Sequence, residues 1–198
     1  MRLDLRFSDR SLENIWCQAM TGFSFYHPDL EISGLKGLDL KMSGMLSDLI
    51  SREKWTGERG ESLLLSSQGA LPADKILFYG LGPVSEFNVE IVKSSIQSVG
   101  SSLDKMAVND FSIYLPLIEG LENEYTICVE HSVPALVHPF FESHGQKKEF
   151  LLKIVYCVNQ EMIHLIAPIV DHLREYFLSF MECSIIIGYE AKREASVA

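Results

Sequence analysis

Ile76-Leu77-Phe78-Tyr79-Gly80-Leu81-Gly82-Pro83 (ILFYGLGP) is an apolar run that breaks into a glycine-rich turn. Ile76, Phe78 and Tyr79 favour a strand, and the unbroken apolarity suits one buried on both faces. Glycines placed directly after such a strand let an anion approach the backbone N–H groups, which is how phosphate-binding turns begin. They serve a plain chain reversal equally well. Pro83 weighs toward reversal, because it removes one donor where a phosphate needs it.

Outward from this stretch, strand and helix patterns alternate. RLDLRF alternates apolar and polar residues as a first strand, and SLENIWCQAM reads as a short helix capped by Ser11, with Leu12, Ile15 and Trp16 on one face. TGFSFYHPDL is a short strand ended by Pro28, SGLKGLDLKMSG a glycine-punctuated loop, and MLSDLISREK a helix. ESLLLSSQG and ADKILFYGLGP are strands. Val89, Val92, Ile96, Val99 and Leu103 repeat at helical spacing behind Asn88, a suitable cap. FSIYLPLI is a strand closed by Pro116. YTICVEHSVPALVHPFFESHG reads as a short edge strand and then an irregular segment rich in proline and histidine, with VPALVHPFF as an exposed apolar stretch. FLLKIVYCV is a strand, NQEMIHLIAPIVDHLREYFLSF a helix capped by Asn159 and disturbed by Pro168, and SIIIGYE a final strand. Strands of this kind alternating with helices predict a three-layer α/β/α domain over 1–190, with a polar tail at 191–198.

At 198 residues, 47% apolar and 22% charged, the chain is sized for one domain with a sizeable core. The formal charge of -10 disfavours nucleic acid, whose phosphates require clustered cations; the densest clusters here are only Lys147-Lys148 and Lys192-Arg193. No apolar run reaches the roughly 20 residues of a membrane span. MRLDLRFSDR lacks the apolar centre of a signal peptide, so a cytoplasmic location is expected. Cys17, Cys128, Cys157 and Cys183 form no C-x-x-C pair and read as small buried thiols.

The candidate chemistry is sparse. His131, His138 and His144, with Glu130 and Glu142 close by, match no standard zinc spacing, and His164 and His172 are eight apart, too far for a one-turn ligand pair. No G-x-S-x-G elbow is present. Two places invite a small phosphorylated ligand: Ser43-Gly44-Met45 before a helix start, and Gly80-Leu81-Gly82 after its strand. Neither is a G-x-G-x-x-G or Walker loop. No metal or other cofactor is expected. Trp55-Thr56-Gly57-Glu58-Arg59-Gly60-Glu61 reads as a connector, or as a segment whose Trp55 anchors a partner.

Three segments, GLDLKMSGMLSDLISREKWTGERGESLLL, ADKILFYGLGP and NVEIVKSSIQSVGSSLDKM with FSIYLPL, resemble in order and spacing the N-terminal domain of the cytosolic leucine aminopeptidases. Asp39, Ser43-Gly44, Trp55-Thr56-Gly57, Gly60-Glu61 and Gly80-Leu81-Gly82 occupy the family's motif positions. The resemblance implies a fold similar to macro domains and covers roughly residues 1 to 190. The family's chemistry resides in a second domain whose carboxylates hold two metal ions about 3.5–4 Å apart, in motifs such as N-T-D-A-E-G-R-L; this sequence contains none. The resemblance therefore implies a non-catalytic accessory, regulatory or assembly domain, without aminopeptidase activity of its own. Because the family's hexamers use this domain to organise the oligomer, it also implies a homo-oligomer or a partner protein. Two alternatives follow from the same likeness: a nucleotide- or ADP-ribose-binding domain, or the non-catalytic subunit of a split aminopeptidase. ADP-ribose-binding macro domains carry an asparagine where this chain has Lys41-Met42, and a longer glycine run than Ser43-Gly44.

Overall fold

The strand that ends in the glycine turn is β4 (Lys75–Gly80), near one end of a seven-stranded sheet of order β3-β4-β2-β5-β6-β1-β7. The computed structural model describes residues 1–188; the expected tail at 191–198 lies outside the described residues. The other strands are β1 (Arg2–Ser8), β2 (Ala19–Ser24), β3 (Ser62–Ser66), β5 (Asp110–Tyr114), β6 (Leu151–Cys157) and β7 (Glu182–Gly188). All neighbouring pairs are parallel except β3 with β4, so the sheet is mixed and β3 is its antiparallel edge. The helices are α1 (Lys36–Lys41), α2 (Met45–Ser51), α3 (Val89–Lys105), α4 (Glu122–His144) and α5 (Ile163–Leu178).

Parallel strands need return connections, and these cover the sheet unequally. α3, α4 and α5 pack on one face, where Leu3, Leu5, Phe7, Phe111, Ile113, Ile154 and Tyr156 enter the larger core. The other face carries the smaller core, in which Leu12, Ile15, Leu38, Leu46 and Trp55 cover Met20, Ile76 and Phe78. This is the three-layer α/β/α arrangement expected, with one thin layer. Over β6, β1 and β7 that layer stops, and Arg2, Arg6, Lys153, Glu182, Ser184 and Ile186 are exposed.

Asn88 caps α3 as expected, accepting from Ile91 N at 3.0 Å. Asn159 accepts from Glu161 N at 3.0 Å and starts the 3₁₀ turn Gln160–Met162 that leads into α5. Three expectations fail for physical reasons. SLENIWCQAM is one 3₁₀ turn, Leu12–Asn14, and Ser11 makes no capping bond; Trp16 is 84% exposed. These few residues must return along a strand of roughly 20 Å and across three strand spacings, about 14 Å. Ten helical residues span only about 15 Å, so extended chain is required. SGLKGLDLKMSG contains α1, because Leu35, Leu38 and Met42 share one buried helical stripe.

YTICVEHSVPALVHPFFESH lies within one 23-residue helix, α4, and VPALVHPFF is a core segment rather than an exposed surface. Tyr125, Cys128, Val129, Ser132, Val133, Leu136 and Phe140 recur at helical spacing and are all buried. Pro134 and Pro139 each cost a helix about 3 kcal/mol or more. Burying each large apolar side chain contributes about 1.5–3 kcal/mol, and α4 buries enough of them to outweigh two prolines. Pro134 lies at a partly exposed position, so little packing is lost with it. Pro134→Ala is expected to stabilise the protein by about 1–2 kcal/mol, once the unfolded-state benefit of proline is subtracted. Thermal denaturation checks this: a melting temperature higher by about 2–8 °C is predicted.

Candidate functional site

The glycine turn sits where three chain segments meet. Glu61 Oε2 accepts from Thr56 N (3.0 Å), Thr56 Oγ1 (2.8 Å), Gly57 N (2.8 Å) and Glu58 N (3.2 Å), closing the Trp55–Glu61 turn on itself. That turn rests against the end of β4. Gly80 N donates to Glu61 O (2.9 Å), Leu81 N to Ser24 O (2.8 Å) and Gly82 N to Gly57 O (3.1 Å). The N–H groups of Gly80, Leu81 and Gly82 are therefore spent inside the fold. A Cβ on Gly80 would lie 2.0 Å from Glu58 O and 2.7 Å from Gly57 C, so glycine is required by close approach of backbone. Trp55 is 1% exposed and packs on Phe78, with ring centroids 6.3 Å apart, which removes it as a partner anchor.

The second expected turn is also answered from within. Ser43 and Gly44 adopt φ of 57° and 78°, and Met45 begins α2. The N–H groups at that helix start attract a negative charge. The buried Asp39 carboxylate supplies it: Oδ1 accepts from Leu46 N at 2.7 Å and Ser47 N at 3.1 Å, and Oδ2 accepts from Ser47 Oγ at 2.5 Å. Neither Ser43-Gly44-Met45 nor Gly80-Leu81-Gly82 lines the crevice or the groove described below.

A crevice lies elsewhere, beyond the carboxyl ends of β1, β5 and β6, with a volume of about 370 Å³. Chains leaving β1 and β6 turn to opposite faces of the sheet, and such switch points open crevices in α/β folds. Asp9–Glu13 forms one wall, Glu31, Gly34, Lys36 and Gly37 another, with Tyr114 and Val158–Gln160 between them. The Tyr114 ring occupies the space over Gly34, where a Cβ would lie 2.4 Å from it. Burial pushes the Tyr114 hydroxyl above its ordinary range, and Cys157 adds to the rise. Lys36 Nζ pairs with Glu31 Oε2 at 3.1 Å, and Lys41 Nζ donates to Glu13 O at 2.9 Å and Asn14 Oδ1 at 2.7 Å. Asp9, Glu13 and Glu31 line the crevice against Arg10 and Lys36, so a phosphate there meets at least as many carboxylates as cations. The sequence signal for this place is the Gly34-Leu35-Lys36-Gly37 string, ten residues beyond the end of β2.

The histidines separate. His144 Nε2 lies 2.7 Å from Asp104 Oδ1, Lys147 Nζ is 3.0 Å from its Nδ1, and the ring stacks on Phe150 at 4.0 Å, tying the end of α4 to α3. His131, His138 and His172 line a 530 Å³ groove among α3, α4 and α5, where His172 Nδ1 is 3.2 Å from Glu130 Oε1. Among the described residues, no three His, Cys, Asp or Glu side chains converge to hold a metal ion. Burial pushes Cys157 up to about 12 and Cys128 up to about 11, so neither is a thiolate nucleophile at neutral pH.

The two motif glycines separate by substitution. Gly80→Ala forces a Cβ into backbone and is expected to cost about 3 kcal/mol or more. Gly44→Ala meets no atom within 4 Å and bears only the left-handed φ penalty, about 1–2 kcal/mol. Comparing the two melting temperatures with that of the parent chain checks the order.

Residues 23–141 match the family described as "Cytosol aminopeptidase family, N-terminal domain". A probable cytosol aminopeptidase of Cyanothece sp. is 25% identical over 124 residues, which is 62% of this chain and 25% of that protein. One from Alkaliphilus oremlandii is 36% identical over 59 residues, 30% of this chain and 12% of that protein. The chain thus spans about a quarter or less of the length of these curated relatives. Among solved structures, a mutant of tomato leucine aminopeptidase superposes with TM-score 0.65 at 18% identity, covering 89% of this chain and 37% of that one. The macro domain of ganglioside induced differentiation associated protein 2 superposes with TM-score 0.59 at 15% identity, covering 84% and 83%. A Trypanosoma brucei macrodomain in complex with ADP-ribose gives 0.57 at 14% identity, covering 79% and 64%. These structural likenesses establish a macro-like fold. No helix among the described residues is long and apolar enough to cross a membrane.

Proposed function

Because the chain belongs to the cytosol aminopeptidase family, in which it matches the N-terminal domain, we propose that it is a non-catalytic accessory domain that assembles with the family's metal-bearing catalytic part. That part is supplied in the same polypeptide or by a separate subunit, in the cytosol. The observation that carries this reading is the internal use of every backbone donor at Gly80–Gly82, together with the Asp39 carboxylate seated at the start of α2. Both loops that offered themselves to a phosphorylated ligand are joints of the scaffold.

A second reading is favoured by one feature, the crevice at the switch point between β1 and β6. In a macro-like fold that crevice is the place for a nucleotide-type ligand such as ADP-ribose. Its three carboxylates weigh against an anionic guest. Titration with ADP-ribose, followed by thermal denaturation, separates the readings. A ligand present at 100 times its dissociation constant adds about 2.7 kcal/mol, equivalent to about 5–10 °C in melting temperature for a chain of this size. The accessory-domain reading predicts no shift at millimolar ADP-ribose, and no hydrolysis of a leucyl anilide by the chain alone with zinc or manganese added. A saturable rise of that size supports the second reading instead.

A further inference from the structure

β3 leaves one side of its backbone unused, and that side is uncharged. Ser67 N donates to Asp74 O at 3.1 Å and Gly80 N to Glu61 O at 2.9 Å, both on the antiparallel register that pairs Leu63 with Phe78 and Leu65 with Ile76. In an antiparallel ladder, hydrogen-bonded and non-bonded pairs alternate. The odd-numbered residues of β3 therefore bond to β4, and Ser62, Leu64 and Ser66 direct their N–H and C=O groups away from the sheet. These three residues are exposed, Leu64 by 51%, and β3 ends the strand order among the described residues. Natural edges are blunted by lysine, proline or a bulge; Ser62–Ser66 contains neither residue and pairs in unbroken register.

We propose that this edge pairs with the same edge of a second copy of the chain, forming a two-fold dimer with one sheet continuous through both copies. Ser62-Leu63-Leu64-Leu65-Ser66 reads identically in both directions. An antiparallel pair centred on Leu64 sets Leu64 against its own copy and Ser62 against Ser66. All outward N–H and C=O groups then find partners, and no charge is set against itself. Isologous contacts need this self-complementarity, and a strand from an unrelated partner has no reason to match a palindrome. Leu63 and Leu65 already pack against the smaller core, so the dimer draws only on groups left over from folding. The inference goes beyond the accessory-domain reading, which stands or falls without it.

Sedimentation velocity on the full chain at tens of micromolar tests the pairing. The parent chain is expected at twice the mass of one copy. Leu64→Lys, which sets two ammonium groups face to face, halves that mass while leaving the circular dichroism spectrum unchanged. Leu178→Lys, at a residue 58% exposed on α5, leaves the dimer intact. Leu64→Cys supplies an independent readout. A bonded antiparallel pair holds its Cα atoms about 5.5 Å apart, within disulfide reach, so mild oxidation gives a covalent dimer that Leu178→Cys does not give. A monomeric parent chain, a dimer that survives Leu64→Lys, or failure of Leu64→Cys to cross-link overturns the proposal.

Discussion

Glu61 Oε2 gathers three backbone N–H groups and the Thr56 hydroxyl, and the turn it closes supports the ends of β2 and β4. Without that closure Gly57 O and Glu61 O would not be presented to Gly82 N and Gly80 N. The glycines then follow from distance alone: the backbone of residues 57–58 approaches Gly80 more closely than any Cβ permits. A motif that looks like a ligand loop is thus a joint, and its residue types are set by how near three chain segments must pass.

The same principle governs the start of α2. A helix N-terminus attracts an anion whether the anion arrives from solvent or from the chain. Here Asp39, from the preceding helix, fills the place, and the left-handed Ser43-Gly44 pair turns the chain so that it can. Internal capping of this kind keeps a short helix in register without recruiting a ligand. Open space remains instead at the switch point, where Asp9, Glu13 and Glu31 set a partly acidic character.

The fold was legible in the sequence wherever one period dominated. β4, β6 and α3 follow from apolar continuity or from the spacing of Val92, Ile96, Val99 and Leu103, because burial fixes those patterns directly. α4 was illegible because Pro134 and Pro139 signal a break locally, whereas the helix is held by the summed burial of a long stripe. The 3₁₀ turn at Leu12–Asn14 was illegible because its extended continuation answers to the distance between β1 and β2, a property of the strand order. For the site, the glycine positions could be read but the fate of their N–H groups could not. Which oxygen reaches Gly82 N depends on Gly57, distant in sequence and adjacent only once the sheet has formed.

Native-state hydrogen exchange at the glycine turn tests the central claim most directly. Amide protons that are bonded within the fold exchange only when that part of the structure opens. If Gly80, Leu81 and Gly82 are joints of the scaffold, their amides exchange as slowly as that of Phe78 within β4. Exchange at the rate of unprotected loop amides would contradict the account, and would return the turn to the class of loops held open for a ligand.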